Sequence, residues 1–250
     1  MAARPRPTLS VCMITYELAW FLPHVLENIA GIADEIVVLD SFSKDGSAEL
    51  LRAHPKVRFH QQPFANFGAQ KNAVFEKARC DWILSIDQDE LLGDRLRATL
   101  PEMLDQRRLT HWKLPRYWLI AGPPWRHIES EQHYPDWGLR LFRNDKRFRY
   151  GPDQLVHHHF PRLERGPMKR AAGRHLFHFD FMLRDREARA TKYDQYMQLD
   201  PSRESTHKSY LFEQMDFRGR ACKEPLTVPG LTEPMWWRTA GKAPKVHRER

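Results

Sequence analysis

Four short strand-like segments alternate with segments of helical spacing along residues 1–90, and that alternation limits the fold more than any other feature of the chain. Leu9 to Thr15 (LSVCMIT), Glu35 to Leu39 (EIVVL) and Trp82 to Ile86 (WILSI) read as core strands, and Val57 to His60 as a short strand between the last two. Between the first two, Ala19 to Ala30 carries Trp20, Phe21, Val25, Leu26 and Ile29 at helical spacing, and Gly31 closes it. Ala48 to Ala53 is predicted to be a second helix. Phe67 to Ala78 is predicted to be a third, with Ala69, Ala73, Val74 and Phe75 inward. Strands that alternate with helices form βαβ units with right-handed crossovers, and hence a parallel sheet.

Open sheets of this kind bind ligands at the carboxyl ends of their strands. Two of the runs end there in acid. EIVVL delivers Asp40, followed by a polar loop, Ser41 to Gly46, with a turn signal. WILSI delivers Asp87-Gln88-Asp89-Glu90. On an extended backbone, carboxylates one residue apart lie on the same side. Asp87 and Asp89 are therefore expected to share a hard divalent cation, and through it phosphate oxygens. A solvated turn after the strand is the alternative that needs no ligand.

Other nucleotide-binding folds lack their signatures here. Neither GxGxxG nor GxxxxGK[ST] occurs, which argues against a dinucleotide fold and a P-loop NTPase. The formal net charge of +8 suits an anionic partner, whether nucleotide, nucleic acid or acidic membrane surface. No RNP, KH or zinc-finger motif supports nucleic acid. The 250 residues are 41% hydrophobic and 29% charged, enough for one large packed domain or a domain with an appendage. Cys12, Cys80 and Cys222 are odd in number and lack CxxC spacing, which disfavours disulfides and a cysteine zinc site. No leader-like apolar core and no run of roughly 18 apolar residues occurs. The expectation is a cytoplasmic setting.

The pattern changes beyond Leu91. Asp94 to Arg107 is predicted as a helix despite Pro101, and His111 to Ile120 as a strand broken by Ala121-Gly122-Pro123-Pro124. Trp137 to Arg143 (WGLRLFR) alternates like a strand with one wet face. Leu183 to Leu199 reads as a charged helix.

Five segments in order resemble the family-two inverting glycosyltransferases of the GT-A fold, most nearly the bacterial branch that adds sugars to lipopolysaccharide cores. They are LSVCMIT, IVVLDSFSKDGS (36–47), FGAQKN (67–72), DWILSIDQDE (81–90) and YPDWGLRLFR (134–143). The likeness spans residues 8–180. It implies a GT-A type, Rossmann-like α/β fold: a mixed, mainly parallel sheet flanked by helices. The division it implies is a domain over 1–180, with a nucleotide-binding half (1–90) and an acceptor-binding half (91–180), and a C-terminal helical extension over 181–250. The implied reaction moves a sugar, with inversion, from a nucleoside-diphosphate donor (UDP, dTDP or GDP) to a hydroxyl of a glycan, lipid-linked or natural-product acceptor. The implied cofactor is Mg²⁺ or Mn²⁺, bound by Asp89 directly, by Asp87 through water or in exchange for ribose, and by His157. Nucleotide-sugar contacts fall on Thr15, Glu17, Asp40, Ser43, Gln70, Lys71 and Asp87. The usual Thr-x-Asn-Glu-Glu of the first strand departs here to Thr15-Tyr16-Glu17-Leu18-Ala19.

The general base is open. The branch's Val-His-Glu tripeptide corresponds to Val156-His157-His158, so the carboxylate is replaced. Asp153 and His158 rank equally, followed by Asp136. His157 and His159 with His175 or His178 form an alternative zinc set, and His178 with Asp180 an oriented His–carboxylate pair. Arg184, Arg186, Arg189 and Lys192 form a basic helix face that reaches a diphosphate or is simply solvated. Trp236-Trp237-Arg238 leaves a peripheral contact at the inner membrane face open. A nucleotidyltransferase and a non-catalytic nucleotide- or nucleic-acid-binding module are the competing readings.

Overall fold

The computed structural model describes residues 5–131, 133–151, 166–211 and 217–231. The first four strands are β1 (Leu9–Thr15), β2 (Glu35–Asp40), β3 (Val57–Gln61) and β4 (Trp82–Asp87), with helices α1 (Leu22–Ala30), α2 (Ser47–Ala53) and α3 (Phe67–Phe75) between them. β1, β2 and β4 follow apolar runs that are buried on both faces, with Leu9, Val11, Met13, Val37, Val38, Ile83 and Leu84 fully buried, whereas β3, last in the strand order, is only partly buried along its length. The parallel register sets Thr15 beside Asp40, and Ile14 beside Asp87. One strand edge therefore gathers Thr15, Asp40 and Asp87.

Several helix ends differ from expectation, two of them in α1 and α3. α1 begins at Leu22 rather than Ala19, because the Ala19 amide donates to Asp45 and Pro23 is suited to a first turn. α3 stops at Phe75 rather than Ala78. Gly31 does close α1, though in the right-handed region.

The second half contributes β5 (Glu90–Leu92), α4 (Asp94–Leu104), β6 (His111–Ala121), β7 (Arg126–Ile128), β8 (Asp136–Arg143), β9 (Met168–Arg170) and β10 (Leu176–His178). Beyond these lie α5 (Asp180–Leu183), α6 (Arg186–Leu199), α7 (Glu204–His207) and β11 (Gly219–Ala221). Among the described residues the strands join in the order β11-β7-β6-β8-β4-β1-β2-β3, with β9 and β10 along β6, and β5 paired to β10. The fold is a mixed sheet with helices: a parallel β4-β1-β2-β3 core extended by antiparallel β8 and β6.

One expectation fails. β4 ends at Asp87, Gln88 and Asp89 form a turn, and Glu90 opens a new strand antiparallel to β10. Asp87 and Asp89 thus do not sit on one extended stretch, and their carboxylates reach different partners. The Asn28 side chain fixes the turn's exit: its amide donates to the Leu92 carbonyl at 3.0 Å, and its Oδ1 accepts from the Leu92 amide at 2.8 Å. Phe181, Met182 and Leu183 of α5 are all buried.

Candidate active site

The carboxyl ends of β1, β2 and β4 are tied together by side chains. Gln88, in the turn, accepts from the Tyr16 amide at 2.9 Å and donates to the Tyr16 carbonyl at 2.9 Å. The β1–α1 loop and the β2–α2 loop are joined likewise: the Glu17 amide donates to Ser43 Oγ at 2.9 Å, and the Ala19 amide to Asp45 at 2.8 Å. Glu17 and Phe42 both hold left-handed backbone, at φ 45° and 61°, a strained state for side-chain-bearing residues that clusters at functional sites.

Asp40 is fully buried within this frame. Its Oδ1 accepts from Thr15 Oγ1 at 3.1 Å and from Ser43 Oγ, and its Oδ2 accepts from the Ser43 amide at 2.9 Å and Gln61 at 3.0 Å. Both oxygens are thus occupied by the protein, and Asp40 shapes the loop. Buried Gln70 donates to Ser41 Oγ at 2.9 Å and accepts from Gln62.

Two charged clusters flank the turn. In the first, Lys71 from α3 meets Asp87 at 2.8 Å, Arg140 from β8 meets Asp87 at 3.1 Å and Glu90 at 2.7 Å, and Arg116 from β6 meets Glu90 at 3.0 Å. Glu90 also accepts from the Asp87 amide at 2.9 Å. Asp136 accepts from Arg116 Nε at 2.7 Å and from the Trp118 indole at 2.9 Å. Burial raises the Asp87 carboxyl, but Lys71, Arg140 and Arg116 outweigh it and hold Asp87 well below the usual carboxylate range. Asp136 is likewise raised by burial and pulled down by Arg116 and Trp118, to about 2.

In the second cluster, Asp89 faces His178 and Asp180, brought in by β10 and the start of α5. Atoms of these three buried residues lie within 4.8 Å of one another. His178 Nε2 stands 3.5 Å from Asp89 Oδ1, and Arg184 reaches Asp89 Oδ2 at 2.9 Å and Asp180 as well. Lys192 meets Asp180 Oδ1 at 2.7 Å. Burial opposes ionisation of Asp89, yet His178 and Arg184 hold its carboxyl far below normal. Asp180 Oδ2 and His178 Nδ1 are buried without a hydrogen-bond partner among the described residues. Two carboxylates, one of them with an oxygen that has no hydrogen-bond partner among the described residues, and one imidazole form a donor set that fits a hard to borderline divalent cation. Trp118 joins the clusters: its ring and that of His178 stand edge to face with centroids 4.4 Å apart, Arg116 lies over it at 4.7 Å, and its indole donates to Asp136.

Sequence reasoning selected Asp87, Asp89, Lys71 and Asp136 for the site, and the structure brings Asp87, Lys71 and Asp136 into one cluster and Asp89 into the other. Asp153, His157 and His158 lie outside the described residues, as do His159 and Trp236-Trp237. The Asn72 side chain holds Tyr150 just before that segment, donating to its carbonyl at 2.9 Å and accepting from its amide at 2.8 Å. His175 is committed elsewhere, bonded to Glu224 at 2.8 Å and stacked on Tyr117 at 3.9 Å. Arg140, Arg116, Glu90, Gln88 and Trp118 were missed as site residues. The period-2 spacing of Asp136 and Arg140 was the available signal.

The fold and family of the chain are matched among known proteins. The family model "Glycosyl transferase family 2" matches residues 10–160. The lipopolysaccharide core biosynthesis glycosyltransferase LpsC of Rhizobium meliloti is 29% identical over 190 residues, covering 73% of this chain and 67% of that protein. The SPbeta prophage-derived glycosyltransferase SunS of Bacillus subtilis is 30% identical over 99 residues, covering 39% of this chain and 24% of its own length. S. aureus TarS 1-349, crystallised with UDP, superposes at TM-score 0.52 with 13% identity, covering 82% of this chain and 69% of that one. Full-length TarS matches over 43% of its length, so the chain spans less than half of that protein. Among the described residues, no helix is long and apolar enough to cross a membrane. The chain belongs to glycosyl transferase family 2: it is a glycosyltransferase built on the GT-A fold.

Proposed function

We propose that the enzyme moves a sugar, with inversion, from a nucleoside-diphosphate sugar to a hydroxyl of a glycan or lipid-linked acceptor, and that it uses a divalent cation, Mg²⁺ or Mn²⁺. The observation that carries this reading is the convergence of Asp89, His178 and Asp180 beside the strand ends. When bound there, the ion neutralises charge on a diphosphate leaving group. The chain's own residues do the rest. Lys71, Arg116 and Arg140 surround Asp87, and in this reading they turn toward the diphosphate when the donor binds. Tyr16 and Phe42, about half exposed, border the frame that holds Asp40. The donor class is supported by the UDP in TarS crystals, and a glycan acceptor by the lipopolysaccharide-core role named for LpsC.

In this reading residues 1–90 take the donor and 91–180 the acceptor. The base is Asp153 or His158 rather than Asp136. A carboxyl held at about 2 by Arg116 and Trp118 is a weak proton acceptor near neutral pH, where an efficient base has its pKa close to the working pH. A peripheral membrane contact through Trp236-Trp237 stays part of the proposal, tested by sedimentation with anionic vesicles.

The experiment is a thermal-shift screen of UDP, dTDP and GDP with and without Mn²⁺. Ligand that binds the folded state raises the melting temperature. The reading expects one nucleotide to stabilise strongly and only with the cation. Equal stabilisation without it, or none with any nucleotide, contradicts the reading.

A further inference from the structure

The second cluster contains its own cations, and their positions matter. One guanidinium nitrogen of Arg184 contacts both Asp89 and Asp180, and the Lys192 ammonium contacts Asp180 at 2.7 Å. Both side chains are mostly buried. Lys192 also lies over the Tyr210 ring at 4.6 Å. Two carboxylates against two cations is neutral. A divalent ion added to that set leaves two positive charges uncompensated in a site where Asp89, Asp180 and His178 are all buried. Burying unpaired charge is costly. The excess is removed if Arg184 and Lys192 turn to an anion, and a diphosphate carries the charge that matches them. Both residues have long, rotatable side chains, Arg184 between α5 and α6 and Lys192 within α6, so the charged heads can move without moving the backbone.

We propose that Arg184 and Lys192 form a cationic latch on Asp89 and Asp180. They hold the place of the divalent ion until a diphosphate draws them off, so that ion and donor strengthen each other's binding. This rests on the metal reading given under Proposed function and adds to it a role for two positioning residues. Asp180 Oδ2 is the acceptor the ion gains, since that oxygen has no hydrogen-bond partner among the described residues while the latch is closed.

The test titrates the full chain with Mn²⁺ alone, following the electron paramagnetic resonance of free aqueous Mn²⁺, and then measures UDP affinity at saturating Mn²⁺. Arg184→Gln and Lys192→Gln are each expected to tighten nucleotide-free Mn²⁺ binding on the order of tenfold, and to weaken UDP binding by a similar factor, within the usual range of coupling between sites. Arg184→Lys, which keeps the charge, is expected to change both affinities less than Arg184→Gln does. Unchanged or weaker nucleotide-free Mn²⁺ binding in both Gln variants overturns the latch, as does unchanged UDP affinity. The two residues lie on different elements, so Lys192→Gln carries the test if Arg184→Gln does not fold. Asp89→Asn separates the two levels of the argument. If it binds Mn²⁺ as the unaltered chain does, the metal assignment itself is wrong. If it loses Mn²⁺ while the Gln variants change nothing, only the latch is wrong.

Discussion

Replacing Glu90 by Gln tests whether the first charged cluster is a balanced, buried unit. Glu90 is fully buried and accepts from Arg116 at 3.0 Å, from Arg140 at 2.7 Å and from the Asp87 amide at 2.9 Å. The cluster sets Lys71, Arg116 and Arg140 against Asp87, Glu90 and Asp136, three cations against three carboxylates. Glu90→Gln keeps the shape and one carbonyl acceptor but leaves three cations against two carboxylates. Breaking a buried pair in this way costs about 3–5 kcal/mol, and the retained carbonyl places the loss near the lower bound, about 3 kcal/mol. For a chain of this size roughly 2–4 °C are lost per kcal/mol, so the melting temperature falls by about 6–12 °C. The assay is reversible urea denaturation with a parallel thermal melt. Arg6→Ala is the control, because Arg6 is exposed and a solvent-screened surface pair contributes little. A loss of less than about 1 kcal/mol for Glu90→Gln refutes the reasoning, because it means that water, and not Glu90, balances the arginines.

Three further outcomes are expected. Asp89→Asn lowers turnover by about a thousandfold with the fold intact, since several kcal/mol of leaving-group stabilisation are at stake and each 1.36 kcal/mol is tenfold; steady-state kinetics with circular dichroism checks this, and near-normal turnover refutes it. Gln88→Ala frees the Tyr16 loop from the turn and weakens nucleotide binding by about tenfold, as expected for two hydrogen bonds of about 1 kcal/mol each offset by new contacts with water; calorimetric titration measures it. The third concerns pH. The folded Asp136 carboxyl lies at about 2, below its unfolded value, so its contribution to stability is complete above the unfolded range near ~4 and is lost as pH falls toward 2. Asp136→Asn therefore flattens the acid limb of the stability curve between about pH 4 and 2, and leaves the pH dependence of kcat/KM above pH 5 in place. A shift of that upper profile makes Asp136 the base.

The parallel core was legible because buried parallel strands are short, nearly continuous apolar runs, and β1 and β4 differ from the expected strands by at most one residue. Asp40 and Asp87 were legible for the same reason, as the first polar residues past those runs. What was not legible depends on distant partners. The split of Asp87 from Asp89 arises because Glu90 to Leu92 pairs with Leu176 to His178, far along the chain. Nothing local marks that turn, and period-2 reasoning put both carboxylates on one side. Arg140 read as the wet face of an alternating strand. In the fold that face lies against Asp87 and Glu90, and its side chain is only 11% exposed. His178 and Asp180 were noticed as a pair, but their meeting with Asp89 required the β5–β10 ladder.

The central claim is that Asp89, His178 and Asp180 hold the divalent cation, with Asp87 occupied by Lys71 and Arg140. Anomalous diffraction from crystals grown with Mn²⁺ and UDP tests it most directly. The account predicts a single manganese peak within coordination distance of Asp89 and His178, close to Asp180. A peak on Asp87, or a bound nucleotide with no manganese at Asp89, contradicts it.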